Sequence, residues 1–292
     1  MVSRKEKFVM PINPRALSVE GKILSNRKIG TYHHLVIEIE GIAENCKPGN
    51  FIAISVGGEE SNMPLRRIFA VYRSNPRSQY GSIIEIIVAQ SGKGSAWLTR
   101  QLEGSLLYIT GPLGTSFPIP VEPINIAIIG GGYGAAPLFD LAETLKNKGC
   151  RVDAVIGAST AAKIFAPLEG KRTVNSITIR TEDGSAGQKG RVTDQLEELL
   201  NRNQIELIYS CGPMGMLQAV HEIAERLQIA HQISVEESMA CGIGICMTCV
   251  LPIRGEDGVI RMLRSCIDGP VIDGEKLVWS KGIPPGTLGA SL

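Results

Sequence analysis

Four cysteines near the C-terminal end constrain this chain more than any other feature. They are Cys241, Cys246, Cys249 and Cys266, spaced C-x4-C-x2-C and then, after sixteen residues, C. Thiolates suit soft metal chemistry, and the first three follow the plant-type spacing for a 2Fe–2S centre. Gly242 and Gly244 lie between the first two ligands. Glycine tolerates positive φ, so the backbone can fold tightly there and aim N–H groups at sulfur. A four-cysteine zinc site is the rival, although it usually repeats a C-x2-C knuckle on both sides. Here the last ligand is a lone cysteine.

At 292 residues the chain has room for two domains and a small third. Apolar residues make up 43% and the formal net charge is +1, which describes a globular protein. That charge argues against a nucleic-acid partner recruited by bulk electrostatics. Seven cysteines are present, and they are not spread as a disulfide framework. The start, MVSRKEKFVM, lacks the apolar stretch of a secretory signal. No apolar run approaches the roughly eighteen residues of a membrane span. A reduced, cytoplasmic setting with no membrane partner is expected.

Short alternating runs such as Tyr32 to Ile39, Asn50 to Val56 and Ile83 to Val88, punctuated by Gly and Pro, predict an antiparallel barrel or sandwich over residues 13–121. A different pattern begins beyond Glu122-Pro123. The apolar run Ile124 to Ile129 leads into Gly130, Gly131, Gly132 and Gly134. Leu138, Leu141 and Leu145 then share a helical face, with Gly149 where the helix should stop. Further strand candidates are Val152 to Ile156, Ile177 to Arg180 and Ile205 to Tyr209, and a helical pattern follows at Leu217, Val220, Ala224 and Leu227. Alternating strands and helices over 122–232 predict a Rossmann-like parallel α/β domain. Residues 233–292 form the cysteine-bearing third domain and tail.

Four motifs carry chemistry. Gly130 to Pro137 sits between an apolar strand and a helix, where glycines let a pyrophosphate approach the helix N-terminus. Glycine there can also serve packing alone. Cys211 opens the run CGPMGM at a strand end, where open α/β sheets bind ligands; it could face a nicotinamide ring or be a small buried thiol. Arg66 and Arg67 precede Ile68, Phe69 and Ala70 on an apolar strand, a costly pairing unless an anion compensates them or one is solvated. Gly92, Gly94 and Ser95 open a helix, with Ser95 as a candidate N-cap and a second phosphate contact. The four histidines lack metal spacing.

In order along the chain, LRRIFAV at 65–71, SGKGS at 91–95, GPLGTSF at 111–117, GGGYGAAPL at 130–138, CGPMGM at 211–216, MACGIGICMTC at 239–249 and SCIDGPV at 265–271 resemble the ferredoxin–NADP reductase superfamily. More closely, they resemble its family of electron-transfer subunits of NAD-dependent dihydroorotate dehydrogenase. The resemblance covers about residues 15 to 280. It implies an FAD-binding barrel, an NAD-binding domain and a 2Fe–2S domain. It implies Arg67 on the flavin pyrophosphate and Ile68, Phe69 and Ala70 at the isoalloxazine. Gly92, Gly94 and Ser95 become a phosphate loop, and Gly132, Gly134 and Pro137 the nicotinamide-nucleotide loop. Cys211 falls near hydride transfer, and Cys241, Cys246, Cys249 and Cys266 hold the cluster. It further implies a catalytic FMN-containing partner in an α2β2 assembly, acting in pyrimidine biosynthesis. Related reductases serve ferredoxins, oxygenases or bifurcating complexes. Ala70 departs from the family's usual Ser or Thr, removing a hydroxyl near flavin N5. The segment from Gly282 to Leu292 has no counterpart.

Overall fold

A computed structural model describes residues 8–9, 16–58, 62–165 and 168–279. The ends of the expected first and third domains, at 13–15 and 280–292, lie outside the described residues, as does the unassigned tail.

Six strands close into an antiparallel barrel. Around the wall they run Leu17–Ile29, Tyr32–Glu38, Gly81–Ala89, Arg67–Ser78, Phe51–Ile54 and Leu106–Leu113, and the last pairs with the first. Alternation explains the inside: Leu35 and Ile37 are fully buried, while His34, Val36 and Glu38 flanking them are less so. β-Branched Ile23, Ile52, Ile54, Ile84 and Ile109 fill the interior with them. Closure leaves no unpaired strand edge.

The second half is a seven-stranded sheet. Its order is Gln188–Lys189, Ser176–Thr181, Arg151–Ala158, Asn125–Gly131, Leu207–Cys211, Ala230–Ser234 and Val271–Asp273. Neighbours are parallel except the last pair. The central strands are apolar without alternation because helices cover both faces. The chain builds outward from Asn125–Gly131 on one side, then returns to start the other at Leu207–Cys211. That reversal opens a crevice at the carboxyl ends of these two strands. Helix Ala136–Asn147 begins with Pro137 in its first turn and buries Leu138, Leu141 and Leu145 completely. Gly149, at φ +86°, ends it.

This helix also docks the barrel. It packs against strand Arg67–Ser78, where Arg73 lies 5.2 Å from the Tyr72 ring centroid and 3.9 Å from the Glu143 carboxylate. Burial pushes the neighbouring Asp140 carboxyl up to about 7, against the pull of Arg73. Phe165 stands edge-on to both Tyr72 and Phe139, so barrel and sheet share one apolar cluster.

The cysteine segment is stitched to both halves. Its hairpin pairs Val250–Arg254 with Ile260–Arg264, and Leu251 and Leu277 pack with Leu217 of helix Met214–Arg226 and Ile233 of the sheet. Thr115 N–H donates to the Gly269 carbonyl at 2.6 Å, and Val235 N–H to that of Pro270 at 3.0 Å. Gly114 is essential to this seam. At φ +72° it lies where a Cβ would be 2.6 Å from Phe51 and 2.9 Å from the Gly269 carbonyl. Gly104, at φ +85°, has open space instead. Gly104→Ala should therefore cost only the left-handed backbone penalty of about 1–2 kcal/mol. Gly114→Ala should cost about 1–3 kcal/mol more from overpacking. Denaturant unfolding measures both, and equal losses would mean that the seam can relax.

Candidate functional site

The four cysteines meet two by two. The Cys246 N–H reaches the Cys241 sulfur at 3.5 Å, and Cys249 and Cys266 are packed in one buried apolar cluster. Among the described residues no three His, Cys, Asp or Glu side chains converge as ligands of a single ion. Two pairs are what a two-iron centre asks of four thiolates. Gly242 and Gly244, at φ +71° and +82°, wrap the loop around Cys241. Its sulfur faces the N–H groups of Ile243, Ile245 and Cys246 at 3.4–3.5 Å. The Thr248 hydroxyl donates to the Cys246 sulfur at 3.1 Å and, with backbone donors, holds that exposed thiol down to about 6. Burial pushes Cys266 up to about 12. N–H groups aimed at sulfur and a lowered thiol suit a thiolate-bound cluster.

Beside this loop lies a cavity of about 300 Å³ between barrel, sheet and cysteine segment. Ile68, Phe69 and Ala70 line one side, and Gly134, Pro137 and Cys211 another. Phe51, Ser234, Glu236 and Met239 complete much of the rest. Ile68 belongs to the cavity and to the cysteine loop alike: its Cδ1 sits 2.9 Å from where a Cβ on Gly242 would be. Phe51, Cys249 and Cys266 share an apolar cluster with it. Arg67 does not enter the cavity. It lies across the glycine loop, with its Nε 2.4 Å from the Cβ position of Gly94, and donates to the Leu65 carbonyl. Arg66 donates to the Thr110 hydroxyl.

Ser95 is not the helix N-cap expected of it. Helix Lys93–Leu98 is capped by Gly92, and Ser95 occupies the third helical position. Its hydroxyl accepts from the N–H groups of Ser91 and Gly92, both at 3.0 Å, and so faces back into the loop. Helical spacing decides this, since only a third-position side chain reaches back to the entering N–H groups. The first-turn N–H groups of such a helix lack intrahelical acceptors and, with Arg67 above them, suit an anion.

A second cavity, about 640 Å³, occupies the crevice at the sheet's carboxyl edge. Gly131 and Gly132 form its floor, Gly132 at φ +57°. Tyr32, Ser159, Lys163, Glu182 and Arg191 surround it. Gly134 and Pro137 open on the smaller cavity, so the glycine loop serves both.

Cys211 is 3% exposed, and burial raises its thiol far above the ordinary range, which keeps it neutral. Glu236 is pushed up to about 7 by burial, with Tyr133 beside it opposing the rise. Glu237 beside it also rises to about 7 from burial. The Glu236 carboxylate, together with burial, raises Tyr133 to about 12. The sequence reading passed over Tyr133, Glu236, Ser234 and Phe51. Glu236 follows strand Ala230–Ser234, so the strand-end rule that singled out Cys211 could have found it.

Residues 236–278 match the iron–sulfur cluster binding domain of dihydroorotate dehydrogenase B, and residues 128–222 match the oxidoreductase NAD-binding domain. The dihydroorotate dehydrogenase B (NAD(+)) electron transfer subunit of Caldanaerobacter subterraneus subsp. tengcongensis is 34% identical over 262 residues, covering 89% of this chain and 98% of that one. The chain belongs to this family of electron transfer subunits. The Geobacillus thermodenitrificans member is 35% identical over 260 residues, covering 88% and 96%. Among solved structures, an NADH-dependent reduced ferredoxin–NADP oxidoreductase studied for flavin-based electron bifurcation aligns at TM-score 0.77 and 26% identity, covering 89% and 90%. A ferredoxin reductase of carbazole 1,9a-dioxygenase shares the fold at TM-score 0.61 and 20% identity, covering 74% of this chain and 69% of that one.

Family membership and donor set together point to iron rather than zinc. Metal analysis should find iron and acid-labile sulfide in equal amounts; a colourless, zinc-loaded protein would overturn this. Thr248→Val should lower the centre's reduction potential, because a hydrogen bond to sulfur favours the more negative reduced state. A redox titration followed by electron paramagnetic resonance reads that shift, and a rise would contradict it.

Proposed function

We propose that this chain is the electron-transfer subunit of an NAD-dependent dihydroorotate dehydrogenase, joining NAD to an FMN-containing catalytic partner in an α2β2 assembly. One observation carries the reading: Ile68 lines the cavity beside the glycine loop and also packs on the cysteine loop. A flavin between nicotinamide and a 2Fe–2S cluster can exchange a hydride on one side and single electrons on the other.

The chain's residues have separable roles in this reading. Ile68, Phe69, Ala70 and Phe51 hold the flat ring by apolar contact and exclude water. Arg67 and the backbone of Gly92, Gly94 and Ser95 hold its pyrophosphate. Gly132 and Gly134 let the nicotinamide nucleotide approach the loop, and Pro137 shapes the ring cavity. Cys211, a neutral thiol, packs where the two rings meet and acts as a spacer rather than a nucleophile. Ala70 offers no hydroxyl, so polar contact at that point falls to backbone or water. Cys241, Cys246, Cys249 and Cys266 would hold the cluster, which supplies one-electron transfer.

The partner docks over the cysteine loop. Ile243, Ile245 and Met247 are 47%, 74% and 51% exposed there, an apolar group on the cysteine loop itself. Free cysteines throughout fit a reducing cytoplasm. Among the described residues no helix is long and apolar enough to cross a membrane.

The test is co-expression with the catalytic subunit from the same genome, followed by an assay of orotate formation from dihydroorotate and NAD+. Activity should require both chains. The isolated chain should reduce dyes with NADH yet leave dihydroorotate untouched; dihydroorotate oxidation by this chain alone would sink the proposal. Ile245→Asp should weaken the complex while iron content stays unchanged, as gel filtration and metal analysis would show. The likeness to the bifurcating oxidoreductase supports a second reading, service to a different flavoprotein partner. Co-purification with a ferredoxin-linked subunit, and no orotate, would favour it.

A further inference from the structure

The loop between the first two cysteines is held from across the site by a cation. Arg264 ends strand Ile260–Arg264, two residues ahead of Cys266. Its Nη1 donates to the Gly244 carbonyl at 3.2 Å. Its Nε donates to the Asp268 carboxylate at 3.4 Å, and the Arg264 backbone N–H reaches the same oxygen at 3.1 Å. The Asp268 N–H closes the turn on the Arg264 carbonyl at 2.8 Å. The guanidinium is thus held by the turn that carries Cys266, and it reaches the loop that joins Cys241 to Cys246. Ile267 packs over the same glycine, with its Cδ1 2.7 Å from where a Cβ on Gly244 would be. Ser265 ties the turn to Cys249, whose carbonyl accepts from the Ser265 hydroxyl at 2.9 Å.

The carbonyl that Arg264 holds belongs to the Gly244–Ile245 peptide. That peptide is trans, so its C=O and N–H point in opposite directions. The N–H end is the Ile245 donor, 3.4 Å from the Cys241 sulfur. Fixing the carbonyl outward therefore fixes the N–H inward. Gly244, at φ +82°, has no side chain to settle the orientation of this plane by itself. We propose that Arg264 is a positioning residue for the metal centre: through the Gly244 carbonyl it aims the Ile245 N–H at the Cys241 sulfur, and so favours the more negative, reduced state of the cluster. Asp268 anchors the guanidinium and offsets part of its charge. This rests on the cluster reading of the four cysteines.

The experiment compares the full chain as wild type, Arg264→Met and Arg264→Lys. The Arg264 side chain is 37% exposed, so its replacement should leave the fold intact. A redox titration followed by electron paramagnetic resonance gives the potential. Arg264→Met should make reduction about tenfold less favourable, a fall of about 59 mV for a one-electron couple. Arg264→Lys, which can still donate to the carbonyl, should recover most of that. In reduced, deuterium-exchanged protein, electron–nuclear double resonance reads the amide deuterons that face sulfur. Arg264→Met should weaken the coupling of one of them, and Arg264→Lys should restore it. A lower potential with every coupling unchanged would mean that charge alone acts, and would overturn the positioning role. An unchanged potential would overturn it too. Amide hydrogen exchange on the metal-free chain tests the same contact without the cluster. Exchange across residues 242–246 should quicken in Arg264→Met, and equal rates would count against the proposal even if that variant held no iron. A wild type with no iron–sulfur signal would instead defeat the cluster reading itself.

Discussion

Everything at this site depends on how closely the glycine loop, the Gly212 backbone and the Glu236 side chain approach one another around Gly134. A side chain there would meet the Glu236 carboxylate at 2.7 Å and the Gly212 backbone at 2.9 Å. Gly131 and Gly212 repeat the pattern, each lying where a Cβ would be within 3 Å of Met216. The ends of three parallel strands therefore converge more tightly than side chains allow. The barrel can then bring Ile68, Phe69 and Ala70 to the same volume. Remove that closeness and the two cavities part.

Burial does the rest of the work on charge. Cys211, Glu236 and Asp140 are all titratable and all pushed toward their neutral forms by desolvation. Of these, Cys211 and Glu236 line the ring cavity, where burial disfavours fixed charge. The exposed end of the system is built oppositely. Cys246 is open to solvent and surrounded by hydrogen-bond donors, where a negative sulfur is favoured. Ile68 and Phe51 separate the two environments by a single layer of side chains.

Much of this was legible in the sequence where chemistry is local. The strand before Gly130, the helix carrying Leu138, Leu141 and Leu145, and the stop at Gly149 all follow from periodicity and backbone freedom. The cysteine spacing likewise carries its own geometry, since Gly242 and Gly244 do adopt positive φ. Ser95 was misplaced by three helical positions, because a hydroxyl at the third residue and one at the cap look alike in a string of letters. Tyr133 sat inside a motif read only for its glycines. Glu236 lay between two motifs and belonged to neither.

The sequence by itself determined the parts: an antiparallel barrel or sandwich of alternating strands, a parallel sheet opened by a glycine turn, and a four-thiol loop. Those follow from short-range rules of φ, spacing and burial. Only the tertiary structure decided that Arg67 lies over the Gly94 loop rather than in the ring cavity, that the cysteines meet as two pairs, and that Tyr133 and Glu236 line both cavities. Apart from the neighbouring Cys241 and Cys246, these contacts join residues distant in the sequence. Their geometry is set by how barrel and sheet pack along helix Ala136–Asn147, which no local pattern encodes.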